Sequence, residues 1–361
     1  MTEKQNKAVV TWLFTICVLV VLMITIGGYT RLTRSGLSIV EWNPVSGVVP
    51  PIGEEAWQAE FAKYQETPEF IKINSHMTVG DYKEIFYVEY FHRLVGRFAG
   101  LFVVIPLAYF LIKGIIPWRK SFIYIFISIM FAFQGFLGWY MVSSGLIDNP
   151  AVSHYRLTIH LLTAMFLLAV TFWTALNHVY GFPKRVPHVM KSAPYWMSIF
   201  LIVAVIVQIS YGGFVAGLKA GWISNTYPTM YGRFIPQGLL DQFTPWWHNL
   251  VASPLTVHFI HRWFAFAVPI VGFILYYVLR KKHYGSSMFK AMNIFFVFVT
   301  AQILLGIFTV LLSVPIWIAL LHQAVAMGLF IVCVYINYGI AHERVPELAA
   351  DHVTAVPQAG D

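Results

Sequence analysis

The sequence predicts an all-α integral membrane protein whose eight transmembrane helices form two tandem, parallel four-helix bundles related by a pseudo-twofold along the membrane normal. Three observations predict it. First, 58% of the 361 residues are hydrophobic and only 11% are charged, with a mean hydropathy of +0.67, whereas soluble domains run near a quarter charged. Second, apolar runs fall at about 8–26, 98–112, 122–142, 157–177, 197–216, 263–279, 291–312 and 316–338, several reaching the roughly 20 residues that cross a hydrocarbon core. Third, short motifs in the first half recur in the same order in the second, the mark of an internal repeat. Soluble globular, disordered, coiled-coil and collagen-like chains are excluded by the same numbers.

Taken in order, residues 1–9 are a cytoplasmic N-terminal tail, and the polar lead MTEKQNK runs into a first span without an A-x-A-like exit, so we expect a retained helix rather than a cleaved signal peptide. Residues 10–176 form the first four-helix half with a long outer loop at 29–85, and 177–194 are a cytoplasmic linker. Residues 195–340 form the second half with an outer loop at 217–255, and 341–361 are a cytoplasmic tail. The second and sixth runs look short because their outer ends carry polar residues. Basic residues cluster in the short loops between spans 2 and 3 (Lys113, Arg119, Lys120), 4 and 5 (Lys184, Arg185, Lys191) and 6 and 7 (Arg280, Lys281, Lys282, Lys290). The positive-inside rule therefore puts these loops and both termini in the cytoplasm. Membrane retention accounts for the formal charge of +8, and no nucleic-acid partner is implied. The only two cysteines, Cys17 and Cys333, fall inside spans, which leaves no disulfide framework and no CxxC zinc pair.

Gly27-Gly28-Tyr29 through Arg34-Ser35-Gly36 matches Gly212-Gly213-Phe214 through Lys219-Ala220-Gly221 without a gap. His92-Arg93 matches His261-Arg262, Gln134-x-x-x-Gly138 matches Gln302-x-x-x-Gly306, and His160 matches His322. These four histidines each open an even-numbered span, so they lie at similar depth in the outer half of the membrane. A lone intramembrane histidine is usually a packing residue, but four paired by repeat read as ligands. Two per half fall short of the three or four zinc wants, and suit the two axial positions of a haem in each half. Four residues on stand Gly96, Ala164, Ala265 and Ala326, small enough for a flat macrocycle, as small residues for helix packing also are. Arg93, Arg97 and Arg262 are candidates for haem propionates or for snorkelling to the interface. His258 lies one turn before His261 as an alternative ligand. Its counterpart in the first half is Glu89, a carboxyl at the membrane edge whose roles are general base or ion-pair partner of Arg93 or Arg97. The remaining histidines (His76, His154, His178, His188, His248, His283, His342 and His352) read as solvated or interfacial.

The segments Gly27–Ser38, Glu89-Tyr90-Phe91-His92-Arg93-Leu94-Val95-Gly96-Arg97, Gly138–Leu146, Val152–Leu161, Gly213–Gly221 with Asn225-Thr226, Phe259–Arg262 and His322-Gln323-Ala324 together resemble haem A synthase, in the branch shared by mitochondria and many proteobacteria. The resemblance implies oxidation of the C8 methyl of haem O to a formyl group by two successive hydroxylations. It implies that His92 and His160 hold the substrate haem, that Glu89 is the catalytic carboxylate, and that His261 and His322 are axial ligands of a haem b relaying electrons. It also implies haem O synthase as the supplier of substrate, an unidentified electron acceptor or donor, and residence in a bacterial plasma (inner) membrane. Two departures stand out: no cysteine pair in an outer loop, and His258 where the family usually carries glutamine. The alternatives are a di-haem b-type electron-transfer cytochrome, and a transporter of parallel repeats, whose polar midplane residues are weak here.

Overall fold

The computed structural model describes residues 1–43, 46–182 and 189–342. Among them eight helical stretches are long and apolar enough to cross a membrane: Glu3–Leu32, Val79–Ile112, Phe122–Gly145, His154–Val179, Ala193–Gly217, Pro254–Lys281, Ser286–Leu311 and Ile316–His342, numbered here as spans 1 to 8. The described residues contain no strand, and the expectation of an eight-span, all-α protein is borne out. Lys184, Arg185 and His188, and the tail with His352, lie outside the described residues.

Local chemistry sets the helix ends. Thr2 and Thr78 each form a capping box, with Gln5 and Asp81 as partners, which satisfies two first-turn N–H groups at a time. Span 2 thus starts at Val79, not near 98, and span 6 at Pro254, not near 263. Their polar outer turns are helical because outer loops, not lipid, receive their side chains. Span 4 starts at His154, so Arg156 belongs to its first turn rather than to a loop, and its guanidinium lies 3.9 Å from the centre of the Tyr140 ring.

Proline shapes spans 2 and 6. Pro106 lacks the N–H that would bond the carbonyl of Phe102, and the indole Nε1 of Trp12 donates to that carbonyl instead at 3.2 Å. Pro269 likewise cannot bond Ala265, and span 6 breaks there into Pro254–Phe264 and Ala267–Lys281.

Spans 1 to 4 close a ring in which 1 packs on 2 and 4, and 3 packs on 2 and 4; spans 5 to 8 do the same. The rings meet where span 4 touches 5 and 8 and where span 1 touches 8. Glycines allow this approach: Gly28 lies against the side chain of Gln323, whose Nε2 donates to the carbonyl of Ile24 at 2.9 Å. Gly213 faces Thr158, Gly217 faces the backbone of His154, and Arg31 donates to the carbonyl of Ala216. Side chains such as Ile112, Phe122 and Val297 are largely exposed on the outside of the helices, where hydrocarbon is the solvent.

An outer cap covers the first ring. Helix Glu54–Gln65 buries Trp57, Phe61 and Tyr64 against Tyr82 and Phe86 of span 2, with edge-to-face and stacked ring pairs at 5.0–6.5 Å. In the second outer loop, buried Asn249 donates to the carbonyls of Leu240, Phe243 and Trp246 and accepts from the N–H of Phe243.

Candidate functional site

Each of the four span-opening histidines is half-buried and has a glycine opposite it on the preceding span. A Cβ placed on Gly27 would come 3.3 Å from the ring of His92, and one on Gly138 would come 3.6 Å from His160. The corresponding distances are 3.3 Å for Gly212 and His261, and 3.1 Å for Gly306 and His322. Four times over, the odd span gives up a side chain so that an imidazole can lie against its backbone.

One turn before the glycine, three of the four seats carry a glutamine. Gln208 Nε2 lies 3.2 Å from His261 Nδ1 and donates to the His261 carbonyl at 2.9 Å. Gln134, with its amide turned to suit its neighbours, makes the same two contacts to His160 at 3.0 and 3.2 Å. Gln302 Nε2 is 3.3 Å from a ring nitrogen of His322. At the fourth seat the residue is Met23, whose terminal carbon lies against Gly96 one turn beyond His92. Among the described residues no hydrogen bond reaches the His92 ring.

The rings of His261 and His322 stand 6.4 Å apart, centre to centre, at 87°. Two imidazoles bound to one metal atom, each nitrogen about 2.0–2.1 Å from it, place their centres about 6–6.5 Å apart. Gln208 Oε1, Gln302 Oε1 and His322 Nδ1 are buried without a partner, as expected where a ring nitrogen or a further ligand completes the set. No three of His, Cys, Asp and Glu gather among the described residues, and the second ring offers a pair of imidazoles. A group with two open axial positions and a flat body fits this donor set and these recesses.

Glu89 is buried in the outer end of span 2. Its Oε2 accepts from the Ser38 hydroxyl at 2.8 Å and the Ile39 N–H at 2.9 Å, and its Oε1 from Arg93 Nε at 3.1 Å and Nη2 at 2.7 Å. The ion pair with Arg93 that the sequence offered as the plain reading is therefore present. All four partners are donors, an arrangement that suits a carboxylate. Arg93 goes on to donate to the carbonyls of Ile39 and Glu41 at 2.9 and 3.0 Å, and Arg97 to that of Asn43 at 2.8 Å.

The second ring repeats this clamp. Arg262 donates through Nη2 to the Ser224 carbonyl at 2.8 Å and through Nη1 to that of Thr226 at 2.7 Å. In the gap-free register of the repeat, Ser224 and Thr226 correspond to Ile39 and Glu41. Arg34 and Lys219, also matched, both take left-handed backbone at φ 57° and 54°. The one chemical difference is the partner of the arginine: Arg262 Nε donates to His258 Nε2 at 3.0 Å where Arg93 holds Glu89. His258 is thereby engaged by Arg262 through Nε2, and its Nδ1 is buried without a partner. The three arginines expected near propionates all hold outer-loop carbonyls.

Other histidines divide. His76, His248 and His283 are exposed as expected. His178 is not: it is buried between Tyr124 Oη (2.6 Å) and Asn6 (2.7 Å), because the span 4 end packs against the start of span 1. His154 packs against Gly217 with a buried, unpartnered Nε2. Sequence reasoning passed over Gln208 and Met23, though the Gln-x-x-x-Gly spacing already noted at 134 and 302 also occurs at 208 and, with methionine, at 23.

A model of the COX15-CtaA family, described as cytochrome oxidase assembly protein, matches residues 10–334. Three of the similar relatives carry the name heme A synthase. The one from Flavobacterium johnsoniae is 42% identical over 337 residues, covering 92% of this chain and 98% of the relative. Those from Rickettsia bellii and Nitrosospira multiformis are each 40% identical, covering 92% and 94% of this chain and 98% and 95% of the relatives.

Proposed function

We propose how this chain, which belongs to the cytochrome oxidase assembly protein family and whose relatives are named heme A synthase, turns haem O into haem A. It is an oxidoreductase of the membrane, with haem O as substrate. The first half, 10–176, takes the substrate haem between His92 and His160. Gly27 and Gly138 let the two rings approach, and Gln134 orients His160. The second half, 195–340, holds a haem b between His261 and His322, which supplies one-electron redox chemistry when bound. Gln208 and Gln302 fix those two rings, as partners of ligating histidines do.

The observation that carries this division is the difference between matched residues: only the first half has a carboxylate, Glu89, on the arginine that both halves share, and the second has His258. Turning a methyl into a formyl group by two successive hydroxylations breaks C–H bonds and releases protons. Glu89 is the base that receives a proton from the C8 methyl or its hydroxylated product. Its ion pair with Arg93 and its bonds to Ser38 and Ile39 hold the carboxylate in place. Arg93, Arg97 and Arg262 are the residues that receive propionates. Haem O synthase supplies the substrate, and a redox partner closes the balance: methyl plus water gives formyl with four protons and four electrons passed to an acceptor, whereas oxygen taken from dioxygen requires an electron donor instead.

The supporting experiment is a haem extraction from a host that makes haem O but no haem A. Expression of this protein is expected to yield haem A or its hydroxylated precursor. Haem b alone would favour the di-haem electron-transfer reading. Glu89→Gln is expected to keep the haem content and lower conversion by about 10²–10⁴-fold, the usual worth of a general base. If Glu89 serves only to hold the loop, that variant loses haem and thermal stability in step with activity.

A further inference from the structure

The four imidazole seats are alike in their glycine and differ in the residue one turn earlier: glutamine at 134, 208 and 302, methionine at 23. A glutamine amide donates or accepts at a ring nitrogen, whereas a thioether offers no donor and only a weak acceptor. The three glutamines lie 3.0–3.3 Å from a ring nitrogen of His160, His261 and His322. Met23 instead sets its terminal carbon against Gly96, and the His92 ring has no hydrogen bond among the described residues.

The chemical demands on the two halves also differ. A haem that relays electrons must stay, while a substrate haem must enter as a methyl compound and leave as a formyl compound at each turnover. Removing the outer partner of a ligating imidazole weakens metal binding by about 10–100-fold, because the ring loses orientation and basicity. We propose that Met23 is the positioning residue that makes the first-half site exchangeable: by withholding the hydrogen bond given to the other three rings, it leaves His92 the labile ligand. The proposal rests on the reading that His92 and His160 hold the substrate haem. It also accounts for the asymmetric pairing within that half. His160 keeps a glutamine partner in Gln134, while His92 lies beside Arg93, whose bonds go to Glu89 and to the outer-loop carbonyls of Ile39 and Glu41.

The test is haem transfer from the purified, haem-loaded protein to excess apomyoglobin, followed by absorbance, with the transferred haem identified by chromatography. Wild type is expected to lose haem in a fast and a slow phase, and His160→Ala to abolish the fast one. Met23→Gln, nearly equal in volume, is expected to slow the fast phase about tenfold or more and leave the slow phase unchanged. Met23→Leu, which adds no donor, leaves both unchanged. Gln208→Met is expected to speed the slow phase by a similar factor, and it carries the test by itself if Met23→Gln fails to fold, which would show as loss of both haems. A fast phase removed by His160→Ala but untouched by Met23→Gln, with a slow phase untouched by Gln208→Met, overturns the inference and leaves the site assignment standing. A fast phase that survives His160→Ala and disappears in His322→Ala overturns the assignment itself.

Discussion

A Cβ at Gly212 would sit 3.3 Å from the His261 ring, and one at Gly306 3.1 Å from His322, tight enough that the imidazole must give by tenths of an ångström. Gly212→Ala is therefore expected to be mild and Gly212→Leu severe. The leucine variant should lose the haem of the second half and keep that of the first, read as a halved haem-to-protein ratio and a changed Soret spectrum. At this scale the sequence was informative wherever the repeat marked a residue twice, as with the four histidines and the pair Gln134 and Gln302. Gln208 has the same spacing to its glycine but sits in an apolar run, and Met23 looks like any core methionine until its three counterparts are superposed. The Glu89–Arg93 pair follows from i, i+4 spacing on one helix. Its other partners, Ser38 and Ile39, arrive from an outer loop whose path no periodicity encodes.

Among the elements, the outer cap carries a pH dependence. Glu69 is buried beside the cap helix and accepts from Tyr64 Oη at 3.2 Å. Burial pushes its carboxyl up to about 7, with the charge of Glu89 adding to the rise and the Tyr64 hydrogen bond, Lys219 and Arg34 opposing it. The folded protein then holds a proton that the unfolded chain has lost between pH of about 4.5 and 7. Stability therefore falls as pH rises through that window, by on the order of 2 kcal/mol. Glu69→Gln should remove this slope: its melting temperature should exceed that of wild type at pH 8 and match it near pH 5. Equal slopes in the two proteins would mean that Glu69 is ionised in the fold. The cap helix itself was legible in principle, since Trp57, Phe61 and Tyr64 stand at i, i+4 and i+7. The reading that treated 29–85 as one loop missed it. The spans were legible in their apolar centres and not at their outer ends, because Val79–Phe91 and Pro254–Arg262 are helices with polar residues and only one face packed on protein, where hydropathy gives no signal.

For the whole molecule, eight crossings return the chain to the side on which it started, and the positive-inside rule predicts that this side is the cytoplasm. Cys17 and Cys333 are both buried, so introduced cysteines can be labelled against a low background. Lys120→Cys and Lys282→Cys should react with a membrane-impermeant maleimide only after spheroplasts are lysed, and Glu55→Cys should react in intact spheroplasts. The opposite pattern would invert the topology and with it the depth assigned to the histidines. The order of spans could be read from composition, and their division into two halves from the repeat. The contact between rings could not. It sets the repeat-matched glycines Gly28 and Gly213 against side chains with no counterpart of like chemistry, Gln323 and Thr158.

The arginine clamps have a consequence in the currency of competition. Four of the five N–H groups of Arg93 are already committed, to Glu89, Ile39 and Glu41, and Arg262 divides its own among His258, Ser224 and Thr226. A carboxylate arriving from a haem edge draws on the same guanidinium groups, so latching the loop and gripping the ligand are rival uses of one side chain. Loading the first half should then speed amide hydrogen exchange at residues 38–43, and the backbone around Ser224 should respond only to the haem of its own half.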